Sequence, residues 1–253
     1  MKAAGETPAV RHQAVKTFGQ RQRAFDRACL AFCAAVLGLT VLYPTVRMVW
    51  DAFASGDFSV LAAARGREAV LNTLVISLLS VGCAGVLGTG LALVLHRYTF
   101  PGRGLLSALA YLPLALPPLV GTLAFYYIIG RDGFLLRALG EFLHHRDLAI
   151  PGPAAILIIH AYSFYVYFYA MVLAALERSD PALVEAARSL GASPARAFFR
   201  VTLPLLMPAL MGASLLVFMS SAASFSAPYF FGEGYPMLSV EIFNAYTLSL
   251  IHI

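Results

Sequence analysis

Charged side chains are scarce in this sequence. Asp, Glu, Lys and Arg make up only 12% of its 253 residues, whereas 60% of the residues are hydrophobic. Soluble domains carry roughly 25% charged residues, so the composition indicates a protein that sits in a membrane and contacts lipid. The formal net charge is +5. Because the basic residues are distributed by membrane side, as described below, this charge predicts no nucleic-acid partner.

Lysine is almost absent, which excludes one class of nucleotide site. The only lysines are Lys2 and Lys16, and neither follows a glycine. A phosphate-binding loop needs a Gly-Lys pair, so this chain cannot contain one. Any ATP that the protein uses must be hydrolysed by another polypeptide. An embedded enzyme would need a convergent acid, base or metal cluster, and none is visible, so we predict neither catalysis nor a cofactor.

Potential metal ligands are also few. Cys29, Cys33 and Cys83 lie in apolar runs without a nearby His or carboxylate, so we expect them to be buried small hydrophobes. His144, His145 and the neighbouring Asp147 could bind a metal, but closed sites need three or four ligands. A solvated cluster is the better interpretation of that trio, and we predict no metal site.

Long apolar runs predict an all-α membrane protein with about five transmembrane helices. A polar segment, 1–27, precedes the first run and is too long for the head of a secretory signal, so we expect an uncleaved first helix. The transmembrane domain is expected over 28–247. Its predicted spans, each long enough to cross a bilayer, are 28–50, 69–96, 105–129, 153–176 and 205–227.

The basic residues fix the predicted orientation. With the N-terminus in the cytoplasm, 12 Lys and Arg residues lie on the cytoplasmic side and 6 on the outer side. Cytoplasmic loops carry an excess of Lys and Arg, so this orientation is the favoured one. It places the loop 177–204 in the cytoplasm.

Small residues recur every four positions in the second span, at Ser80, Ala84, Gly88 and Ala92. Such a stripe predicts close contact with another helix, although chance in an Ala/Gly-rich span would give a similar pattern.

Polar and helix-breaking residues mark two spans as candidate linings of a translocation path. Pro117 and Pro118 free backbone carbonyls, which a membrane tolerates only beside protein or a water-filled cavity. The fourth span carries His160, Tyr162 and Ser163, and an intramembrane His is a functional-site hypothesis. A plain kink and a hydrogen-bonded packing role are equally open interpretations.

The polar loop 177–204 carries the sharpest pattern. Asp180 with Pro181, and Ser193 with Pro194, are typical helix starts, and Gly191 is a typical helix end. The helices expected over 182–190 and 195–201 are too short to be stable alone, so they need a partner surface. An amphipathic elbow lying on lipid is the alternative.

This loop resembles the EAA loop of permease subunits of bacterial ATP-binding-cassette importers. The matching residues are Glu185, Ala186, Ala187, Gly191, Leu203 and Pro204, with Val201 at the aliphatic position before Leu203. The resemblance implies a type I importer permease core in the bacterial inner membrane, with the loop as a helical coupling elbow. It further implies three partners: a cytoplasmic ATPase dimer, a periplasmic substrate-binding protein and a second permease unit, either fused or in a homodimer or heterodimer.

The substrate is the least determined feature. The segment after the fifth span resembles that of iron(III)-type permeases, so iron(III) is the first expectation, with thiamine, phosphonate or polyamine as alternatives. An ion-coupled secondary transporter is the rival class, but spans two to five lack the internal carboxylate or lysine that such proteins use.

The last six residues carry an expectation of their own. The peptide 248–253 matches the translation of a transposase end sequence used in sequencing libraries, so we expect a non-native tail on an N-terminal fragment. An ordinary start of a sixth helix is the alternative.

Overall fold

A computed structural model describes residues 22, 25–55, 63–131, 133–144 and 149–251 of the chain. The chain divides into two compact units, Met1–Ser59 and Val60–Ile253. Within the described residues every regular element is helical.

The first unit contains helix α1, Phe25–Ala54, which is apolar and long enough to cross a membrane. Its only described ion pair joins Arg47 to Asp51 one turn later, at 3.1 Å. A π-helical turn at Gly38–Leu42 interrupts its regular hydrogen bonding.

The second unit contains the remaining helices, which we number in chain order. They are α2 (Ala64–Arg97), α3 (Arg103–Leu109), α4 (Leu112–Ala115), α5 (Pro118–Ile129), α6 (Phe134–Leu143), α7 (Gly152–Arg178), α8 (Pro181–Ser189), α9 (Pro194–Ala222), α10 (Ser226–Phe231) and α11 (Leu238–Ile251). Within α9, the residues Phe198–Thr202 form a π-helical turn.

Among the described residues, five stretches are apolar and long enough to span a bilayer: Phe25–Ala54, Ala64–Arg97, Pro118–Leu143 (which includes α5 and α6), Gly152–Arg178 and Pro194–Ala222. The prediction of an all-α membrane fold with about five transmembrane helices is confirmed. The chain is therefore a multi-pass membrane protein.

Helices α2, α7 and α9 pack together and form the centre of the second unit. The predicted small-residue stripe of α2 is buried, and Ala84, Gly88 and Ala92 are among its buried residues. A Cβ placed on Gly88 would overlap the carbonyl oxygen of Tyr165 in α7. The expectation of close helix contact through this stripe is confirmed.

The third predicted span, 105–129, differs most from the structure. Instead of one helix it forms α3, α4 and α5, with breaks at Ala110–Tyr111 and Leu116–Pro117. Proline lacks a backbone N–H and disfavours helix in the residue before it, so the Pro117-Pro118 pair ends α4 and starts α5. Residues 130–151, which lie between the third and fourth predicted spans, contribute the further helix α6.

Two other sequence expectations differ from the structure. The second helix of the polar loop, expected over 195–201, does not end there but continues as α9 to Ala222. The expectation that the cysteines are buried is wrong, because Cys29, Cys33 and Cys83 are all exposed. Cys83 precedes Ala84 by one residue, so it points away from the face that α2 buries.

Candidate functional site

A cavity of about 480 Å³ lies where the broken helices meet. One wall comes from the α4–α5 break and the first turn of α5, and a second comes from the middle of α7. A third wall comes from the non-helical residues 223–225 between α9 and α10. Non-helical backbone at membrane depth is tolerated where it lines a cavity, which explains why both breaks are found here.

All five residues that the sequence marked as candidate path lining border this one cavity: Pro117, Pro118, His160, Tyr162 and Ser163. They come from the α4–α5 break, from the start of α5 and from α7, and Pro118 and His160 are 42 positions apart in the chain. Their role in transport stays a prediction. The two interpretations that the sequence left open for the prolines are compatible, since the residues that break the helix also line the cavity.

His160 is almost fully buried and is held by hydroxyl groups from two neighbouring segments. Its Nδ1 atom lies 2.9 Å from the Ser80 Oγ and 3.0 Å from the Ser221 Oγ. Its Nε2 atom lies 3.0 Å from the Ser224 Oγ, and the Ser221 hydroxyl donates to the Ser80 Oγ at 3.2 Å. Serine hydroxyls both donate and accept, so they satisfy both nitrogens of a neutral imidazole.

The described residues that line the cavity include no carboxylate, lysine or arginine. Most of the lining surface is apolar, and beside the His160 imidazole its polar groups are hydroxyls and phenols, from Thr122, Tyr162, Ser163, Tyr167, Ser220, Ser224 and Ser226. These groups can hydrogen-bond a small polar solute without fixing it by a full opposite charge.

Sequence reasoning missed the serines at the end of α9 as part of this site. Ser220 and Ser224 line the cavity, and Ser221 is buried behind it. The clustering of serines at the end of an otherwise apolar span was the available signal. Which of them faces the cavity depends on how α9 is rotated against α7, and sequence spacing alone does not give that rotation.

A second pocket, of about 300 Å³, lies beside the start of α2 and the segment 232–244. There Arg65 donates from Nε and Nη2 to the two carboxylate oxygens of Glu241, both at 3.0 Å. Asn72 donates to the Pro236 carbonyl at 3.0 Å, and the Leu238 N–H donates to the Thr73 Oγ1 at 3.0 Å. These bonds tie the start of α11 to the first turns of α2.

The polar loop forms the two capped turns expected from the sequence. The Asp180 carboxylate accepts from the Ala182 N–H at 2.9 Å, and the Ser193 Oγ accepts from the Arg196 N–H at 3.4 Å. Gly191 has φ +84°, the left-handed conformation that favours glycine. The predicted caps of both helices are confirmed.

The loop presents an exposed surface. Glu185, Ala186 and Gly191 are exposed, as is Pro204, whereas Ala187 and Leu203 are half-buried. Two large apolar side chains beside the motif, Leu183 and Leu190, are 48% and 89% exposed. None of these residues lines the cavity, but α9 runs from this loop to the cavity wall.

The described residues contain no group of three or more His, Cys, Asp or Glu side chains placed to hold a metal ion. Of the trio near 144–147, only His144 is described, and it is exposed. His145 and Asp147 lie outside the described residues, so the hypothesis of a metal site there stays untested.

Comparison with known proteins places these features in a family. Residues 84–251 match the family described as "Binding-protein-dependent transport system inner membrane component". The match covers Ala84, Gly88 and Ala92 of the α2 stripe, all the residues that line the cavity, and the polar loop.

Several curated permeases are similar to this chain. The molybdenum transport system permease protein ModB of Escherichia coli K12 is 37% identical over 169 residues, which are 67% of this chain and 73% of ModB. The sulfate permease CysT of Salmonella typhimurium is 37% identical over 58% of this chain and 52% of its own length. The ferric permease FbpB of Actinobacillus pleuropneumoniae is 28% identical over 80% of this chain, but the match spans only 31% of FbpB.

A solved structure supports the fold. A chain from the crystal structure of a bacterial ABC transporter involved in the import of the acidic polysaccharide alginate superposes with a TM-score of 0.63. The superposition covers 93% of this chain and 95% of that one, at 17% sequence identity. At this identity the likeness shows a shared fold.

Proposed function

Since this chain belongs to the family of binding-protein-dependent transport system inner membrane components and is a permease subunit of an ABC importer, we propose that the cavity beside His160 is part of a solute path coupled to a separate ATPase. The single observation that carries the proposal is α9. One continuous helix joins the exposed loop with the EAA pattern to the serine-rich wall of the cavity.

The coupling half of the proposal rests on the exposed loop. Leu183 and Ala186 are three residues apart and share a face of α8, with Glu185 beside them, and the exposed Leu190 follows directly after the end of the helix. An apolar face with a flanking charge suits a groove on another protein better than water. We assign the ATPase dimer as the partner of residues 177–204, with Glu185, Ala186, Ala187, Gly191, Leu203 and Pro204 as the coupling residues.

The path half rests on the cavity. Its walls are the places where the helices are broken, and broken helices near the membrane midplane are where transporters bind their solutes. Pro117, Pro118, His160, Tyr162 and Ser163 are the proposed lining residues. A second permease unit would complete the path, and a periplasmic binding protein would deliver the solute to it.

A small oxyanion is the substrate class that the cavity supports best. Hydroxyl and phenol groups donate hydrogen bonds to anionic oxygens, and two relatives with 37% identity are named for molybdenum and sulfate transport. Iron(III), the first expectation from the sequence, is the second candidate because FbpB is a relative. A hard cation prefers carboxylate oxygens, and the described lining contains none.

Uptake by reconstituted transporter tests the proposal. The full-length gene product would be incorporated into proteoliposomes with its ATPase and binding protein, and radiolabelled molybdate, sulfate and iron(III) would be offered separately. We expect ATP-dependent uptake of an oxyanion that a protonophore does not abolish. Uptake driven by an ion gradient without the ATPase would contradict the proposal and favour a secondary transporter. Uptake of iron(III) alone would replace the oxyanion by the second candidate.

A pull-down separates coupling from substrate. The gene product should co-purify with the ATPase, and Glu185→Lys should weaken that association because it reverses the charge beside the apolar face of α8. Equal recovery of the ATPase with this variant would contradict the assigned docking surface.

A further inference from the structure

The non-helical break between α9 and α10 is fixed by two side chains from other helices. Ser224 lies in the middle of this break, and its side-chain oxygen is 3.0 Å from the His160 Nε2 atom in α7. Its backbone carbonyl accepts from the Ser239 hydroxyl of α11 at 2.7 Å. Its own N–H donates to the Ser221 carbonyl at 3.1 Å. Ser224 is therefore held on both its side chain and its backbone.

His160 is itself anchored on the opposite side of the ring. Nδ1 faces the Ser80 and Ser221 hydroxyls, all in a fully buried setting. If the Ser80 hydroxyl donates to Nδ1, the Nε2–H is left to donate to Ser224. The imidazole thus connects the packed helices α2 and α9 to Ser224 in the non-helical wall of the cavity.

We propose that His160 is a positioning residue whose Nε2–Ser224 bond holds the 223–225 wall of the solute path in place. The role of residues 223–225 as a wall of the path rests on the proposed function, but the His160–Ser224 bond can be tested without measuring transport. Two features of the structure carry the idea: the break borders the cavity, and His160 is the residue that joins the break to α7 by a side-chain bond.

The two ring nitrogens can be separated by substitution. The amide of Asn reaches about where Nδ1 stands, and the amide of Gln reaches about where Nε2 stands. His160→Gln should therefore keep a donor for Ser224, whereas His160→Asn should keep the Ser80 and Ser221 bonds and lose Ser224. If His160 only filled buried space, the Gln variant would have no advantage over the Asn variant in holding Ser224.

Thiol accessibility reports the wall directly. In a background without Cys29, Cys33 and Cys83, Ala227→Cys places a thiol at a cavity-lining position that is 2% exposed. Ala213→Cys is the matched control, because position 213 is fully buried in the core of α2, α7 and α9 and does not line the cavity. Both would be modified with a small water-soluble methanethiosulfonate reagent in the purified full-length protein.

We expect the thiol at position 227 to react about fivefold faster with His160→Asn or Ser224→Ala than with His160→Gln, the factor that one hydrogen bond typically represents. The thiol at position 213 should stay protected in every variant. Equal rates with Asn and Gln would overturn the proposal. Faster reaction at both positions would also overturn it, because that result would mean general loosening.

Uptake measurements test whether the His160–Ser224 bond matters for transport. In proteoliposomes with the ATPase and binding protein, and with molybdate, sulfate and iron(III) as probes, His160→Gln should keep more of the parent's uptake than His160→Asn does. His160→Asn should be slower, with an unchanged amount of assembled complex. A released wall with undiminished uptake would overturn the positioning role while leaving the permease function intact. Absence of uptake in the parent would count against the proposed function and leave the thiol result standing.

Discussion

Gly88 shows how a single missing side chain sets the centre of the fold. A Cβ at this position would overlap the Tyr165 carbonyl and come within 2.7 Å of the Phe168 Cβ. Backbone carbonyls cannot move aside as the tip of a flexible side chain can. The close approach of α2 and α7 therefore depends on glycine here, and the same two helices carry Ser80 and His160 toward the cavity.

Gly88→Ala should accordingly destabilise the protein by about 1–3 kcal/mol, the usual cost of overpacking a core. Gly90→Ala is the matched control, since a Cβ there meets nothing within 4 Å. Thermal unfolding of the detergent-solubilised protein would measure both. A melting temperature for Gly88→Ala equal to that of Gly90→Ala would contradict the contact.

At the scale of single residues, the sequence indicated which residues are candidates for a site better than it indicated which residues they contact. Two prolines, a histidine, a tyrosine and a serine stand out in apolar spans, and that alone selected five residues that border one cavity. Ser224 could not be singled out from the sequence, because Ser221 and Ser226 lie close to it and carry the same side chain. Only the rotation of α9 and the position of the break decide which serine lies against the His160 Nε2 atom.

The polar loop and the α9 helix form one structural element rather than two. The π-helical turn at Phe198–Thr202 bonds the Leu203 N–H to the Phe198 carbonyl, five residues back. This shift in register comes just before Pro204, which has no N–H to donate. The helix can therefore pass through the proline, whereas a sequence reader would end it there.

Gly191→Pro should abolish ATP-driven uptake while leaving the protein in the membrane. Proline fixes φ near −65°, whereas Gly191 has φ +84°, so the turn between α8 and α9 cannot form. Gly191→Ala should reduce uptake less, because the left-handed conformation costs an alanine only about 1–2 kcal/mol. Gly104→Ala, at an open position, serves as the control. Normal uptake by the proline variant at normal membrane levels would refute the coupling role.

The contact between α2 and α11 is the other element-scale feature open to a test. Arg65→Glu should weaken it, because two carboxylates would then face each other in place of a two-bond pair. The double variant Arg65→Glu with Glu241→Arg should recover most of the loss. Proteolysis rates in the 232–241 segment would measure the change. Equal rates in the single and double variants would show that the ion pair contributes nothing.

The presence of each helix was easier to predict from the sequence than whether that helix is continuous or broken. Length and hydropathy indicated five membrane helices, and the caps of the polar loop followed from Asp180, Ser193 and Gly191. The prolines gave opposite results that local rules do not separate. Pro117 and Pro118 break their span, whereas Pro204 and Pro208 lie inside a continuous helix. Packing of the surrounding helices makes that difference.

At the scale of the whole molecule, the distribution of basic residues predicts a cytoplasmic N-terminus. In a protein without Cys29, Cys33 and Cys83, Ala192→Cys should then react with an impermeant thiol reagent only from the cytoplasmic side. Glu233→Cys, at an exposed position, should react only from the periplasmic side. Right-side-out and inside-out vesicles would measure this, and the reverse labelling would exclude an ATPase at the loop.

Composition predicted this scale well because lipid imposes strong constraints on a chain. A bilayer demands long apolar helices with satisfied backbones, and scarce charges are its direct signature. Solute choice carries no such signature. The polar groups in the cavity are common hydroxyl side chains. They form a recognisable site only when four separate segments of the chain bring them together.

The unbroken course of α9 has a mechanical consequence. At 1.5 Å per residue, its 29 residues make a rod of about 43 Å. If the whole rod tilts as one rigid body by about 5°, its far end is displaced by about 4 Å, more than the width of a water molecule. Of the two points where the rod can bend, the π-helical turn lies near the loop end and Pro208 lies at the midpoint. The stretch from there to Ser220 is left to act as a lever on the cavity wall.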